Sequence, residues 1–181
     1  MEIIVAITGA SGAIYGLRLI EKLKNENVYL ILSNEAKKII GYETSYDIEK
    51  IKGMVKEYYE EEQMESKLAS GSFNCDAMVI APCSLKTMSA VANGFTFNLI
   101  VRAAICCLKE NKKLIIVPRE TPLDEISIEN MLKLKKAGVI ILPAMPAFYY
   151  KPRSIDDLVN YIVGKIMSQL GLKHNLYRKW K

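Results

Sequence analysis

The sequence predicts an α/β fold: a doubly wound, mostly parallel sheet with helices on both faces. Three observations predict it. Five short apolar runs rich in β-branched residues recur along the chain, amphipathic stretches separate them, and each run stops at Thr-Gly, Ser or Pro. Near-continuous apolar runs are the mark of strands buried on both faces, and strand–helix alternation is the mark of a parallel sheet.

The elements follow in order. EIIVAI (2–7) carries Glu2, lacks a basic leader and runs into a glycine-rich turn, so it reads as a buried strand and not a signal peptide. VYLILS (28–33), AMVIAP (77–82), KLIIVP (113–118) and GVIILP (138–143) are the further strands. Helices are expected near 13–25, 34–42, 47–60, 84–93, 98–110, 124–137 and 154–170, the last opened by a capping box from Ser154 to Asp157. Residues 61–74, EEQMESKLASGSFN, form one long polar loop, and loops of that length are often functional. No repeat or linker divides the chain, so 1–181 is expected to be one domain.

Composition narrows the function. Half of the residues are apolar and a quarter are charged, as in an ordinary globular protein. No run approaches the roughly 18 apolar residues of a membrane span, so no membrane partner and a cytoplasmic location are expected. Cys75, Cys83, Cys106 and Cys107 make no C-x-x-C pair, and the only histidine is His174. Reduced, buried thiols and no metal are the reading. The net charge of +5 is dispersed, and the basic tail GLKHNLYRKWK has no clustered face with interleaved aromatics, so no nucleic acid is expected. A mildly basic surface suits small anionic substrates.

In such sheets ligands collect at the carboxyl ends of the strands. After the first strand comes TGASG: Gly9 and Gly12 allow tight turning, Thr8 and Ser11 add hydroxyls, and a helix start offers N–H groups to an anion. After the second comes Ser33, where a dinucleotide enzyme would carry an acid for the ribose. Ser33 either caps the next helix or donates to a phosphate. After the third comes PCSLKT, with Ser84 and Thr87 flanking Lys86 at a helix start. After the fourth comes PRETP, where Arg119 can grip a phosphate in a fork and Glu120 either accepts a proton or pairs with Arg119. After the fifth comes PAMPAFYYKP, a proline-stiffened aromatic loop in which Tyr149 offers a phenol beside an apolar wall. The residues alone therefore describe several phosphate-friendly corners, an acid and an apolar wall, which suggests a phosphorylated cofactor with a second phosphorylated substrate.

Taken together and in this order, TGASGAIYGLRL, ASGSF, APCSLKT, VRAAICCLKE, VPRETPL, MLKLKKAGVIILPAMPAFYYKPRSIDDLVNYIVGKI and the closing RKW resemble the flavin prenyltransferase family, the partners of prenylated-FMN-dependent decarboxylases. The resemblance runs essentially end to end. It implies a Rossmann-like flavoprotein that joins a dimethylallyl group from dimethylallyl phosphate to N5 and C6 of reduced FMN, usually without a metal. It implies that Gly9, Ala10, Ser11, Ser33, Ser84, Leu85, Lys86, Thr87 and Arg119 hold FMN, and that Tyr149 and Lys165 contact the prenyl phosphate. Arg102, Lys109 and Glu120 match charged active-site positions, and Trp180 matches an aromatic at the site. A large homo-oligomer such as a dodecamer, with sites at subunit contacts, is also implied. Two features depart from the family: position 165 is Lys where many members carry Arg, and no tryptophan precedes Trp180. Two rival readings share the flavin. A cysteine decarboxylase of the same fold would need a histidine on an early helix, and 34–60 has none. A non-catalytic FMN-binding protein would have no use for Arg102, Lys109, Glu120 and Tyr149.

Overall fold

The computed structural model describes residues 1–180. Six strands, β1 (Glu2–Ile7), β2 (Asn27–Leu32), β3 (Glu57–Glu60), β4 (Ala77–Cys83), β5 (Lys113–Pro118) and β6 (Ile140–Ile141), make one sheet in the order β3-β2-β1-β4-β5-β6. Every neighbouring pair is parallel. The order reverses between β1 and β4, which places the ligand crevice of a doubly wound sheet beyond their carboxyl ends.

Helices α1 (Ala13–Lys22), α2 (Asn34–Glu43), α3 (Ile48–Lys52), α4 (Leu85–Asn93), α5 (Leu99–Lys109), α6 (Glu125–Lys136) and α7 (Ile155–Leu170) cover the two faces. Alternation along β1 explains the two cores. Ile3, Val5 and Ile7 pack with Leu17 and Ile20 of α1 and with Val163 and Ile166 of α7. Ile4 and Ala6 face the other way, onto Met88 of α4 and Ile100, Ala103 and Ala104 of α5. Gly16 lets α1 lie close on the sheet, since a Cβ there would stand 2.2 Å from the Ala81 carbonyl oxygen. The capping box of α7 is present, with Ser154 accepting from the Asp157 N–H and Asp157 reaching back.

Three expectations are corrected. The helix expected over 47–60 is only the five residues of α3, because Gly53 caps it; the chain then adds β3 to the open edge of β2. The strand expected over 138–143 pairs regularly only at Ile140–Ile141, although Leu142 and Ala144 still donate to Ile116 and Pro118 carbonyls. The polar loop contains a short 3-10 turn, Lys67–Ala69.

Candidate active site

The strand ends are laced together before any ligand is considered. β1 and β2 stay in register to Ile7 and Leu32, and the Ser33 N–H then donates to the Ile7 carbonyl over 3.1 Å. The buried Thr8 hydroxyl donates to the Pro82 carbonyl (2.9 Å) and accepts from the Ser84 N–H (2.8 Å). Thr8 is thus the joint between β1 and β4, and its hydroxyl is not free for a ligand. From the end of β5, Arg119 donates its Nε to the Ser11 carbonyl over 3.0 Å. Gly9, Ser11, Ser33, Ser84 and Arg119 consequently share the crevice edge, with Ala10 buried behind the turn.

The anion-receptive groups differ at the two helix starts. The N–H groups of Gly12 and Ala13, which open α1, are both taken by the Glu43 carboxylate, at 2.8 and 3.2 Å. That residue lies at the end of α2, and nothing local in the sequence announces it. It fills the donors that the glycine turn was expected to offer, with Gly12 holding the turn at φ 99°. The start of α4 is open instead. Ser84 caps it, accepting from the Thr87 N–H (3.3 Å) and donating to the Thr87 hydroxyl (3.1 Å). Among the described residues the N–H groups of Leu85 and Lys86 have no acceptor, as expected for the first turn of a helix. Ser33 caps α2 by accepting from the Ala36 N–H, which leaves its own O–H to donate. The Lys86 ammonium stands over the Phe97 ring at 5.4 Å, beside a cavity of about 490 Å³ lined by Phe95 and Phe97.

Arg119 and Glu120 line a second cavity of about 260 Å³ with Met131, Pro143, Ala144 and Met145. Among the described residues no ion pair joins Arg119 to Glu120. The Glu120 carboxylate accepts only from the Thr121 N–H, at 3.1 Å, so lone pairs remain for a proton. A third cavity, of about 340 Å³, lies between Tyr149, Tyr150, Lys151, Arg178, Lys179 and Trp180. Trp180 meets the Tyr149 ring edge-on at 5.1 Å. Lys165 is half-buried on the same helix as Tyr161, whose ring is 6.3 Å from that of Tyr149.

Arg102 and Lys109 stand apart from these groups. Arg102 donates its Nε to the Ala69 carbonyl over 2.9 Å, and the Cys106 thiol donates to the same oxygen over 3.3 Å. The ASGS turn is thereby folded onto α5, where Cys75 and Cys107 also meet, sulfur to sulfur at 3.6 Å. Four guanidinium N–H groups of Arg102 stay available. Lys109 pairs at 3.6 Å with Glu110. All four cysteines are buried and free. Among the described residues no group of three or more His, Cys, Asp and Glu could hold a metal, and no helix is long and apolar enough to cross a membrane.

Comparison with known proteins decides the family. A Flavoprotein family profile matches residues 1–167. The flavin prenyltransferase UbiX of Methanocaldococcus jannaschii is 51% identical over 181 residues, covering 99% of this chain and 98% of that one. The chain belongs to the flavin prenyltransferase family. The family's solved structures share its shape. A UbiX (PadA1) crystal structure in complex with FMN and dimethylallyl pyrophosphate superposes with a TM-score of 0.97 at 39% identity, covering 99% of this chain and 96% of the other. A dodecameric FMN-dependent Ubix-like decarboxylase from Escherichia coli O157:H7 gives 0.97 at 38% identity, with both chains fully covered.

Proposed function

We propose that this protein is a prenyltransferase that joins the dimethylallyl group of an allylic phosphate ester to N5 and C6 of reduced FMN, releasing prenylated FMN for a decarboxylase that uses it. One observation carries the reading: two anion-receptive places lie along the carboxyl edge of one sheet, linked by an aromatic loop. The first, made by Ser33, the Thr87 hydroxyl that Ser84 holds, the free N–H groups of Leu85 and Lys86, and Arg119, suits the dianionic phosphate of a mononucleotide. The second, between Tyr149 and Trp180, joins aromatic faces to cations, which suits an allyl group carrying phosphate. Full-length relatives bearing the prenyltransferase name favour this reading over a cysteine decarboxylase or a passive flavin carrier.

Reduced FMN, the acceptor substrate, supplies the nucleophilic positions. The chain's own residues supply the rest. Tyr149 and Lys165 donate to the ester phosphate, whose charge grows as the allylic C–O bond ionises, so they stabilise the transition state more than the ground state. Trp180 and Tyr149 present π faces to the allylic cation and keep water away. Glu120, with its unfilled lone pairs, takes the proton that ring closure releases. Lys165 acts as a point charge and not a fork, which leaves its grip on the ester looser than that of an arginine.

The remaining cations come from a second copy. Arg102 and Lys109 make their contacts at the ASGS turn and Glu110, away from Arg119 and Tyr149. Phe95, Phe148 and Met145 are at least two-thirds exposed, at 68, 70 and 67%, an apolar rim suited to burial between subunits. A homo-oligomer, of dodecamer size as in the Escherichia coli neighbour, brings α5 of one subunit over the crevice of the next. The buried free thiols suit a reducing cytoplasm.

The test is flavin-dependent release of phosphate. Purified protein held without oxygen releases phosphate from dimethylallyl phosphate only when reduced FMN is added. Release without flavin, or no release with flavin bound and the pyrophosphate ester also tried, overturns the proposal.

A further inference from the structure

The tail docks on α7 through a fit between a missing side chain and two rings. Gly164 is buried in the middle of α7, one residue before Lys165. A Cβ built there would stand 2.6 Å from Tyr177 Cε1 and 2.7 Å from His174 Cε1. The two rings occupy the space that any other residue would fill. Glycine in a helix interior is less stable than alanine, so α7 is weakened in order to admit them.

The rings are held in place by more than contact. His174 Nδ1 accepts the Leu176 N–H at 3.3 Å, and a backbone N–H can only donate, so Nδ1 carries no proton. Nε2 is therefore the protonated nitrogen and donates to the Ser168 hydroxyl at 2.9 Å. The Leu176 bond requires the neutral ring, since a protonated Nδ1 cannot accept. Tyr177 packs at 4.7 Å on Tyr161, and Tyr161 stacks at 5.6 Å and 8° on Tyr150. Three residues beyond Tyr177, Trp180 reaches Tyr149, and Arg178 and Lys179 reach the rim of the 340 Å³ cavity.

We infer that Gly164, His174 and Tyr177 are positioning residues: they seat the tail so that Arg178, Lys179 and Trp180 close a pocket for an allylic phosphate ester over Tyr149. The identity of the pocket's occupant rests on the proposed function; the seat does not. None of the three touches the cavity. They act through the tail alone.

Trp180 is the only tryptophan of the chain, so its emission reports tail docking without any turnover. The full-length protein is compared with Gly164→Ala, which fills the seat, and with His174→Ala, which leaves α7 intact. His174→Gln is the conservative rescue, since an amide can accept from Leu176 and donate to Ser168. Expected in both disruptive variants are a red-shifted Trp180 emission, stronger acrylamide quenching, and a KM for dimethylallyl phosphate raised about tenfold through loss of a charge-assisted contact. FMN affinity stays within about twofold, kcat falls as well because Trp180 no longer faces the allylic cation, and His174→Gln recovers most of the emission, KM and kcat. Unchanged emission in His174→Ala, or in a Gly164→Ala variant that binds FMN normally, overturns the seat. If emission shifts as expected but the wild type transfers no prenyl group, the seat stands and the proposed activity falls.

Discussion

Ser84 donates its backbone N–H to the Thr8 hydroxyl over 2.8 Å, and that one bond ties the cap of α4 to the end of β1. Thr8 also donates to the Pro82 carbonyl, so both sides of the topological switch are held by a single buried side chain. Thr8→Val keeps the shape and removes both side-chain bonds, leaving the Ser84 N–H unpaired, while the Pro82 carbonyl keeps only the backbone N–H of residue 8, at 3.2 Å. The expected loss is about 1–3 kcal/mol of stability, read by denaturant unfolding, together with weaker FMN binding because the start of α4 is no longer fixed.

Arg119 reaches across from β5 to the Ser11 carbonyl through Nε, which leaves both terminal nitrogens for a phosphate. Arg119→Lys keeps the charge and loses both the Ser11 bond and the fork. Flavin titration should show FMN affinity reduced by at least tenfold, equivalent to about 1.4 kcal/mol. An unchanged affinity would remove Arg119 from the mononucleotide site.

Glu120 accepts one backbone bond and pairs with no cation among the described residues. Glu120→Gln is isosteric and cannot take a proton. Prenylation should slow by roughly 10²–10⁴-fold with FMN affinity unaltered, as measured in single-turnover flavin spectra. Prenylation at the wild-type rate would remove the carboxylate from the mechanism.

Tail docking should depend on pH through His174. Burial, then the Lys179 charge, hold its pKa below the ordinary 6.5 against an opposing contribution from the Gly164 backbone; Tyr177 and Ser168 are the other groups beside the ring. The docked ring therefore binds fewer protons than a free one. Docking is at full strength above pH 6.5 and weakens as pH falls below that value, because the released ring gains a proton. Trp180 emission titrated from neutral to mildly acid pH should report release, and His174→Gln should abolish that dependence.

Much of the fold was legible because buried parallel strands leave little choice of residue: EIIVAI, AMVIAP and KLIIVP become β1, β4 and β5 within a residue. The edges were less so. EYYE is charged at both ends, and its strand exists because β2 offers an open edge; Glu57 pairs with Lys67 and Glu60 with Lys37, contacts with partners far along the chain. The serine and arginine corners were readable from their places after strands. Glu43 was not, since its partner Gly12 lies 31 residues away. The seat at Gly164 was equally hidden, because a helical glycine shows its purpose only when the rings that fill its space are known.

Prenyl transfer is measured most simply as the mass of the flavin itself. Protein incubated without oxygen with reduced FMN and dimethylallyl phosphate, and in parallel with the pyrophosphate ester, is denatured and its flavin weighed. FMN heavier by one prenyl unit is expected with at least one donor. Flavin recovered at its original mass with both donors, from protein shown to bind it, would rule out prenyl transfer.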